Sequence, residues 1–170
     1  MKKLLFLLAT VAAIFTACEG GLDNEENGVS VKSNWILYTS SDGSIIIPSN
    51  SGAFGANIVS NTYENGQGVI TFDAPVTSIG YEAFYDCTSL TSVTIPDSVT
   101  SIGWYAFSDC TSLTSVYCKA TTPPSGGDGM FDSNASGRKI YVPRESVEAY
   151  KAKLYWRDYA SYIEGYDFTE

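Results

Sequence analysis

The chain contains no histidine. That removes the side chain most often used as a general base near neutral pH, and the commonest protein ligand of a metal ion. Basic residues are scarce: 10 Lys and Arg stand against 19 Asp and Glu in 170 residues, a formal charge of −9. Lys2 and Lys3 precede every acidic residue, so the chain after position 17 carries 8 − 19 = −11. Phosphate binding needs clustered Lys and Arg, so this balance excludes nucleic acid as a partner. No Gly-rich phosphate loop and no Gly-x-Ser-x-Gly elbow occurs. Cys18, Cys87, Cys110 and Cys118 have no histidine to activate a thiolate, and neither a cofactor nor a metal is expected. A helix-rich composition is also missing. Ser, Thr, Gly and Tyr dominate, which suits short strands and turns.

What is present begins with a leader. Met1-Lys2-Lys3 is followed by a largely apolar run, Leu4–Phe15. It is shorter than the roughly 20 residues that span a bilayer and reads as a secretory signal over residues 1–17. The run closes on Phe15-Thr16-Ala17-Cys18, which resembles a bacterial lipobox with Phe15 where Leu is usual. The resemblance implies lipid attachment at Cys18 and anchoring in the outer membrane by that lipid alone. An ordinary signal peptide with an incidental cysteine is the alternative. Residues 18–33 then form an acidic tether containing EGGLDNEENG. It is similar to the surface-export signals of Bacteroidetes lipoproteins, which implies display on the cell surface; a plain solvated linker is the alternative.

The body of the chain repeats. VTSIGYEAFYDCTSLTSVTIPDS at 76–98 and VTSIGWYAFSDCTSLTSVYCKAT at 99–121 are identical at 15 of 23 positions. Weaker copies lie outside. Val69-Ile70-Thr71-Phe72 falls 23 residues before Ser92-Val93-Thr94-Ile95, and Ile140-Tyr141-Val142-Pro143 falls 24 after Val116-Tyr117-Cys118-Lys119. Phe131 follows Phe84 and Phe107, and Asn134 follows Cys87 and Cys110, at the same step. Ile45-Ile46-Ile47-Pro48 with Ala53-Phe54 reads as an older echo.

Within a unit, Val93 and Ile95 alternate with Ser92 and Thr94, the period of a strand. Pro96 ends the strand because it cannot donate to the next ladder position. Gly103 is expected to turn the chain, and Ala106-Phe107 to pack from the opposite wall. One such coil cannot bury its apolar side alone. Stacked coils give a parallel sheet with rungs about 4.8 Å apart around one continuous core.

The pattern Leu90-x-x-Val93-x-Ile95-Pro96-x-x-Val99-x-x-Ile102-Gly103-x-x-Ala106-Phe107-x-x-Cys110 resembles the BspA-like, Treponema-type leucine-rich repeats of bacterial surface proteins. The segment IYVPRESVEAYKAKLYWRDYASYI also resembles the C-terminal cap of Bacteroidetes members. The resulting expectation is an α/β leucine-rich-repeat solenoid with a short parallel sheet. An N-terminal β cap covers 34–68, repeats run over 69–143, and a helical cap occupies 144–170. In that cap Val147, Tyr150 and Leu154 share one helix face, continued by Trp156, Tyr159 and Ile163. At the front, Trp35, Leu37, Ile45 and Ile47 lie in strand-like runs broken by Asp42-Gly43 and Asn65-Gly66. The resemblance implies surface display and binding, including adhesion to host proteins for some members, and no catalysis. The candidate partner is a protein or glycan of host origin. A structural or accessory role toward another envelope component is the alternative.

Several residues compete for the binding role. On the exposed face of the sheet, Thr71, Thr94, Tyr117 and Tyr141 are expected in one column and Ser92, Ser115 and Lys139 in a neighbouring one. Solenoids commonly bind through this face, and Tyr with Ser is a paratope-like mixture; Thr and Tyr are also simply good strand formers. Four such strands offer a face of only about 250 Å². A rival patch is Tyr81, Trp104 and Tyr105 on the far wall. Asp97-Ser98-Val99 resembles the Bacteroidetes O-glycosylation pattern, making Ser98 a candidate acceptor, although the same letters are ordinary repeat consensus. Asp86 and Asp109, one rung apart, suggest either a cation or hydrolytic pair or two turn residues. Cys87 and Cys110 suggest either a disulfide between rungs or two structural thiols. Cys118 takes the inward slot of Ile95 and reads as a small buried hydrophobe.

Overall fold

The computed structural model describes residues 32–168. The leader, Cys18 and the acidic tether through residue 31 lie outside the described residues, as do the last two positions. No helix among the described residues is long and apolar enough to cross a membrane.

Among the described residues the chain forms β1 (Trp35–Ser40), β2 (Ile58–Glu64), β3 (Gln67–Phe72), β4 (Ser78–Ile79), β5 (Leu90–Ile95), β6 (Ser101–Ile102), β7 (Ser115–Cys118) and β8 (Lys139–Pro143). A short helix α1 (Val147–Ala152) and a 3₁₀ segment, Trp156–Tyr162, precede β9 (Ile163–Tyr166). Seven strands make one mixed sheet in the order β2-β3-β1-β5-β7-β8-β9, while β4 and β6 pair in parallel on their own.

From β5 onward the sheet is parallel. Val93 stands opposite Val116, Val116 opposite Ile140, and Ile140 opposite Ile163. All four point inward and are essentially inaccessible. The expected inward and outward alternation therefore holds for β5, β7 and β8. Across the core, Phe84 stacks on Phe107 with ring centroids 5.1 Å apart, and Phe107 on Phe131 at 5.4 Å. Phe54 meets Phe84 edge-on at 5.6 Å, which places the older echo at the end of this aromatic ladder.

The turns behind the phenylalanines are stitched from coil to coil. Phe84 N donates to Ala106 O (2.7 Å) and Phe107 N to Met130 O (2.9 Å). Two positions in each coil adopt left-handed backbone: Glu82, Tyr105 and Gly129 at one, Asp86, Asp109 and Ser133 at the other. Aspartate tolerates that conformation better than most residues, which accounts for Asp86 and Asp109 as turn residues. Gly103 opens the turn as expected, its carbonyl accepting from Ala106 N (3.4 Å), but its φ lies outside the left-handed region, so backbone freedom is not why a glycine stands there. Its role is close approach. A Cβ there would lie 2.6 Å from the carbonyl carbon of Gly80, and one at Gly127 would lie 2.5 Å from that of Gly103.

The front of the chain departs from the simple ladder. β3, expected as the rung before β5, is not its neighbour. β1 lies between them, antiparallel to both, with Trp35 opposite Thr71 and Leu37 opposite Thr94. The hairpin at Asn65-Gly66 forms as expected, with φ of 52° and 83°, the geometry of a type I′ turn. Ile36 and Tyr38 of β1 face the core, and Trp35 and Leu37 the other side. Residues 45–47 are not a strand. Ile46 is buried while Ile45 and Ile47 are exposed, because Ile46 N donates to Tyr38 Oη (3.2 Å) and Asn61 Nδ2 to Ile46 O (2.8 Å).

The C-terminal segment is less helical than expected. Helix α1 ends at Ala152, Lys153 is extended, and Tyr155 is left-handed at φ 67°. Leu154 therefore leaves the helix face and is 53% exposed. Tyr150, Trp156, Tyr159 and Ile163 are buried as expected. Trp156 Nε1 donates to Pro124 O (2.8 Å), tying the segment to the last coil. The unexpected element is β9, which extends the sheet in parallel beyond β8.

Candidate functional site

The outward face of the large sheet is built from alternate strand residues whose neighbours are buried. Ser92 lies opposite Ser115, which lies opposite Lys139, and Thr94 lies opposite Tyr117, which lies opposite Tyr141. Six of the seven expected face residues are thus neighbours on consecutive rungs. Thr71 is not among them. It sits two strands away from Thr94 beyond β1, and its hydroxyl lies 2.7 Å from Ser60 Oγ of β2.

The rungs hold the aromatic side chains in a fixed cluster. The rings of Tyr117 and Tyr141 stack at 4.8 Å with planes 18° apart. Tyr166 of β9 packs against both, at 5.4 and 5.5 Å, and Phe168 packs on Tyr166 at 4.9 Å. Partial burial beside Tyr141 raises the Tyr117 phenol above its ordinary range, so the group stays neutral and keeps its O–H donor. Lys139 pairs with Glu164, which holds its ammonium charged and raises its pKa. Arg144 clasps Asp167 through two hydrogen bonds, at 2.9 and 2.7 Å.

Trp35, Thr39, Tyr166 and Phe168 are face residues that the repeat pattern does not reveal. Thr39 Oγ1 lies 2.6 Å from both Thr91 Oγ1 and Ser92 Oγ. Ile163-Glu164-Gly165-Tyr166 alternates like a strand, but four residues are too few to stand out. With seven strands in place of four, the face is about 34 Å across and about 13 Å high, on the order of 400 Å².

The remaining candidates resolve by geometry. Cys87, Cys110 and Cys118 are free thiols. Cys110 Sγ donates to Phe84 O (3.0 Å), and Asn134 Nδ2 donates to Phe107 O (2.7 Å), one coil later. The slot thus serves as a donor to the preceding coil. Cys118 is fully buried beside the Tyr150 hydroxyl at 3.2 Å, and burial pushes its thiol up to about 11. Among the described residues no three His, Cys, Asp or Glu side chains gather as metal ligands. Asp109 Oδ2 accepts from Ser108 Oγ at 3.2 Å. The Ser98 hydroxyl is half-buried, 2.8 Å from Val76 O and 3.1 Å from Ser33 O; a glycan on that oxygen would displace these contacts. A groove of about 300 Å³ near Asp97, Thr100, Lys119 and Pro123 opens at the ends of β5 and β7, and no residue of the aromatic cluster lines it.

Compared with known families, the chain matches the BspA type leucine-rich repeat region in six copies over residues 56–156, more than half of its length. The match extends past the visible repeats at both ends. No curated protein matches the chain.

Proposed function

This chain belongs to the BspA-type leucine-rich-repeat family, and from that premise we propose that it is a cell-surface lipoprotein carrying a non-catalytic binding or adhesion module. Repeats of this type mediate protein–protein interaction, so the chain carries a protein-binding module. In this reading the coils form a short solenoid, closed by the β1–β3 block at one end and by residues 144–168 at the other. Cys18 carries a lipid that anchors the chain in the outer membrane, and the acidic tether holds the module off the bilayer. The partner is a host-derived protein or glycan.

The observation that carries the reading is the outward face from Ser92 to Tyr166. Its hydroxyls and stacked rings are held on rungs whose other side is the core. A rigid surface of Tyr and Ser loses little side-chain freedom on binding. The test uses the full chain in detergent as bait for mucus, serum and cell-envelope extracts. A host component retained by wild type and lost with Tyr117→Ala/Tyr141→Ala supports the proposal. Retention of envelope components alone favours an accessory envelope role. The anchor is tested separately. A fatty-acid probe should label wild type and not Cys18→Ala, and protease added to intact cells should cleave the chain.

A further inference from the structure

The other side of the core carries a second surface of different chemistry. The turns after β4 and β6, with the equivalent turn one coil later, form a wall whose inner residues are Phe84, Phe107 and Phe131. Its outer residues include Tyr81, Tyr85, Trp104 and Tyr105, which are 55, 40, 57 and 38% exposed. Apolar surface gathered in this way on a small protein marks an interaction site more often than scattered residues do.

The charges of this wall have one sign. Segments 80–87, 103–110 and 127–134 contain Glu82, Asp86, Asp109, Asp128 and Asp132 and no Lys or Arg. The basic residues of the described chain fall outside these segments, and all but Lys32 follow position 118; among them Arg138 lies over the ring of Tyr159, whose hydroxyl donates to Asp132 Oδ1 (2.8 Å) at the edge of the wall. Carboxylates and rings are interleaved across coils. Asp109, one coil on, raises the Tyr85 phenol, and Glu82 raises that of Tyr81. The wall is also stiff. Glu82 N donates to Trp104 O (3.1 Å), Tyr105 N to Asp128 O (3.1 Å) and Asp109 N to Asp132 O (3.0 Å). The rings and acids are therefore held in place before any partner arrives, which lowers the entropy lost on binding.

We propose that this wall is a second docking surface, which takes a basic, Arg- or Lys-bearing protein segment. Guanidinium or ammonium groups lie over Trp104 and the tyrosines by cation–π contact, and the surrounding carboxylates supply the charge. The chain uses the same chemistry internally, where the Arg138 guanidinium lies 4.3 Å from the ring centre of Tyr162 and 5.3 Å from that of Tyr159. A neutral glycan would stack on the rings and leave Glu82, Asp86, Asp109 and Asp128 without a counter-charge, so charge complementarity selects the basic partner. This surface is independent of the sheet face, and failure of one reading leaves the other standing.

The test is fluorescence anisotropy on the full chain in detergent, with a short labelled peptide alternating arginine and serine. A matched glutamate–serine peptide is the control, and dextran is the glycan competitor. The arginine peptide should bind with an affinity that falls as salt rises, and the glutamate peptide should not. Tyr81→Ser/Trp104→Ser should weaken binding about ten-fold. Asp86→Asn/Asp132→Asn, which removes charge, keeps a residue tolerated in left-handed backbone at position 86 and keeps an amide oxygen at position 132 to accept from Tyr159 Oη, should weaken it by a similar factor with only a small change in melting temperature. Tyr117→Ala/Tyr141→Ala should leave it unchanged. The proposal is overturned if the arginine peptide does not bind or if dextran displaces it. It is equally overturned if Glu145→Gln/Glu148→Gln, outside the wall, weakens binding as much as Asp86→Asn/Asp132→Asn.

Discussion

Gly103→Ala tests the coil stacking at its tightest point. A methyl group there would lie 2.6 Å from Gly80 C and 2.7 Å from Tyr81 N, against ordinary contact at 3.4 Å or more. Both obstructing atoms are backbone, so no side chain can rotate away. The coils must part by several tenths of an ångström, and the bond from Gly103 N to Ile79 O (2.7 Å) with that from Glu82 N to Trp104 O (3.1 Å) must stretch. Overpacking in a tight core costs about 1–3 kcal/mol, and loosening one or two backbone hydrogen bonds adds about 1 kcal/mol each. A total of about 3 kcal/mol lowers the melting temperature of a chain this size by about 6–12 °C. Gly52→Ala is the internal control. Its Cβ would meet only Asn50 Oδ1 at 3.7 Å, with φ outside the left-handed region, so a small gain of about 0.4–1 kcal/mol is expected from the stiffer unfolded chain. Thermal unfolding followed by circular dichroism separates the two. Equal melting temperatures for Gly103→Ala and wild type would refute the close-approach role of the glycine column.

Ile102→Asp places a charge where the residue is 1% exposed and should unfold the protein, since an unpaired buried charge costs a large part of a domain's roughly 5–15 kcal/mol. Thr94→Asp on the outer face should cost under about 1 kcal/mol; equal losses would invert the assignment of faces. Stability should also fall in alkali. The Cys118 thiol moves from 9.0 to about 11 on folding, so from about pH 9 the unfolded chain releases a proton that the folded chain keeps. The stabilisation is complete below about pH 9 and is lost as pH rises toward 11. Urea midpoints should therefore drop over that range, and Cys118→Val should shallow the drop, leaving the part due to Cys110, Tyr150 and Tyr159, which burial also raises; a flat profile in wild type counts against the buried thiols. Finally, a face of about 400 Å² is half the roughly 800 Å² per partner of a stable interface, so a single copy should bind weakly through it. Display on beads should raise the apparent affinity strongly, and nanomolar binding by a dilute monomer would defeat the area argument.

The inward half of the repeats was legible because burial constrains it. Val93, Val116 and Ile140 occupy equivalent slots where only apolar side chains of similar size fit, and the period between them reports the coil length. Cys118 and Asn134 were legible for the same reason: each inherits a slot whose environment the neighbouring copies define. β1 was not legible in its pairing. Trp35-Ile36-Leu37-Tyr38 is apolar throughout, so its period names neither its inner face nor its neighbour. Its place between β3 and β5 depends on pairings across 30 to 57 residues, which no local pattern records. Copy-to-copy spacing then made β3 look like a rung, although its hairpin with β2 turns it into the antiparallel partner of β1.

The proposed binding surface was legible only in outline, and the reason is physical. Outward positions carry no packing constraint, so Thr94 can become Tyr117 and Tyr141 on successive rungs without disturbing the core. The freedom that lets a repeat acquire a binding face also removes the periodic signal that would identify it. Tyr166 shows the consequence most clearly. It follows a 3₁₀ segment, belongs to no visible copy, and joins the cluster only because β9 adds one more parallel rung. The far wall behaves in the opposite way. Its aromatic and acidic residues sit on turns whose left-handed positions recur at fixed places, so Asp86 and Asp109 read first as turn chemistry. Only the stacking of three coils turns those local choices into a continuous surface with one sign of charge.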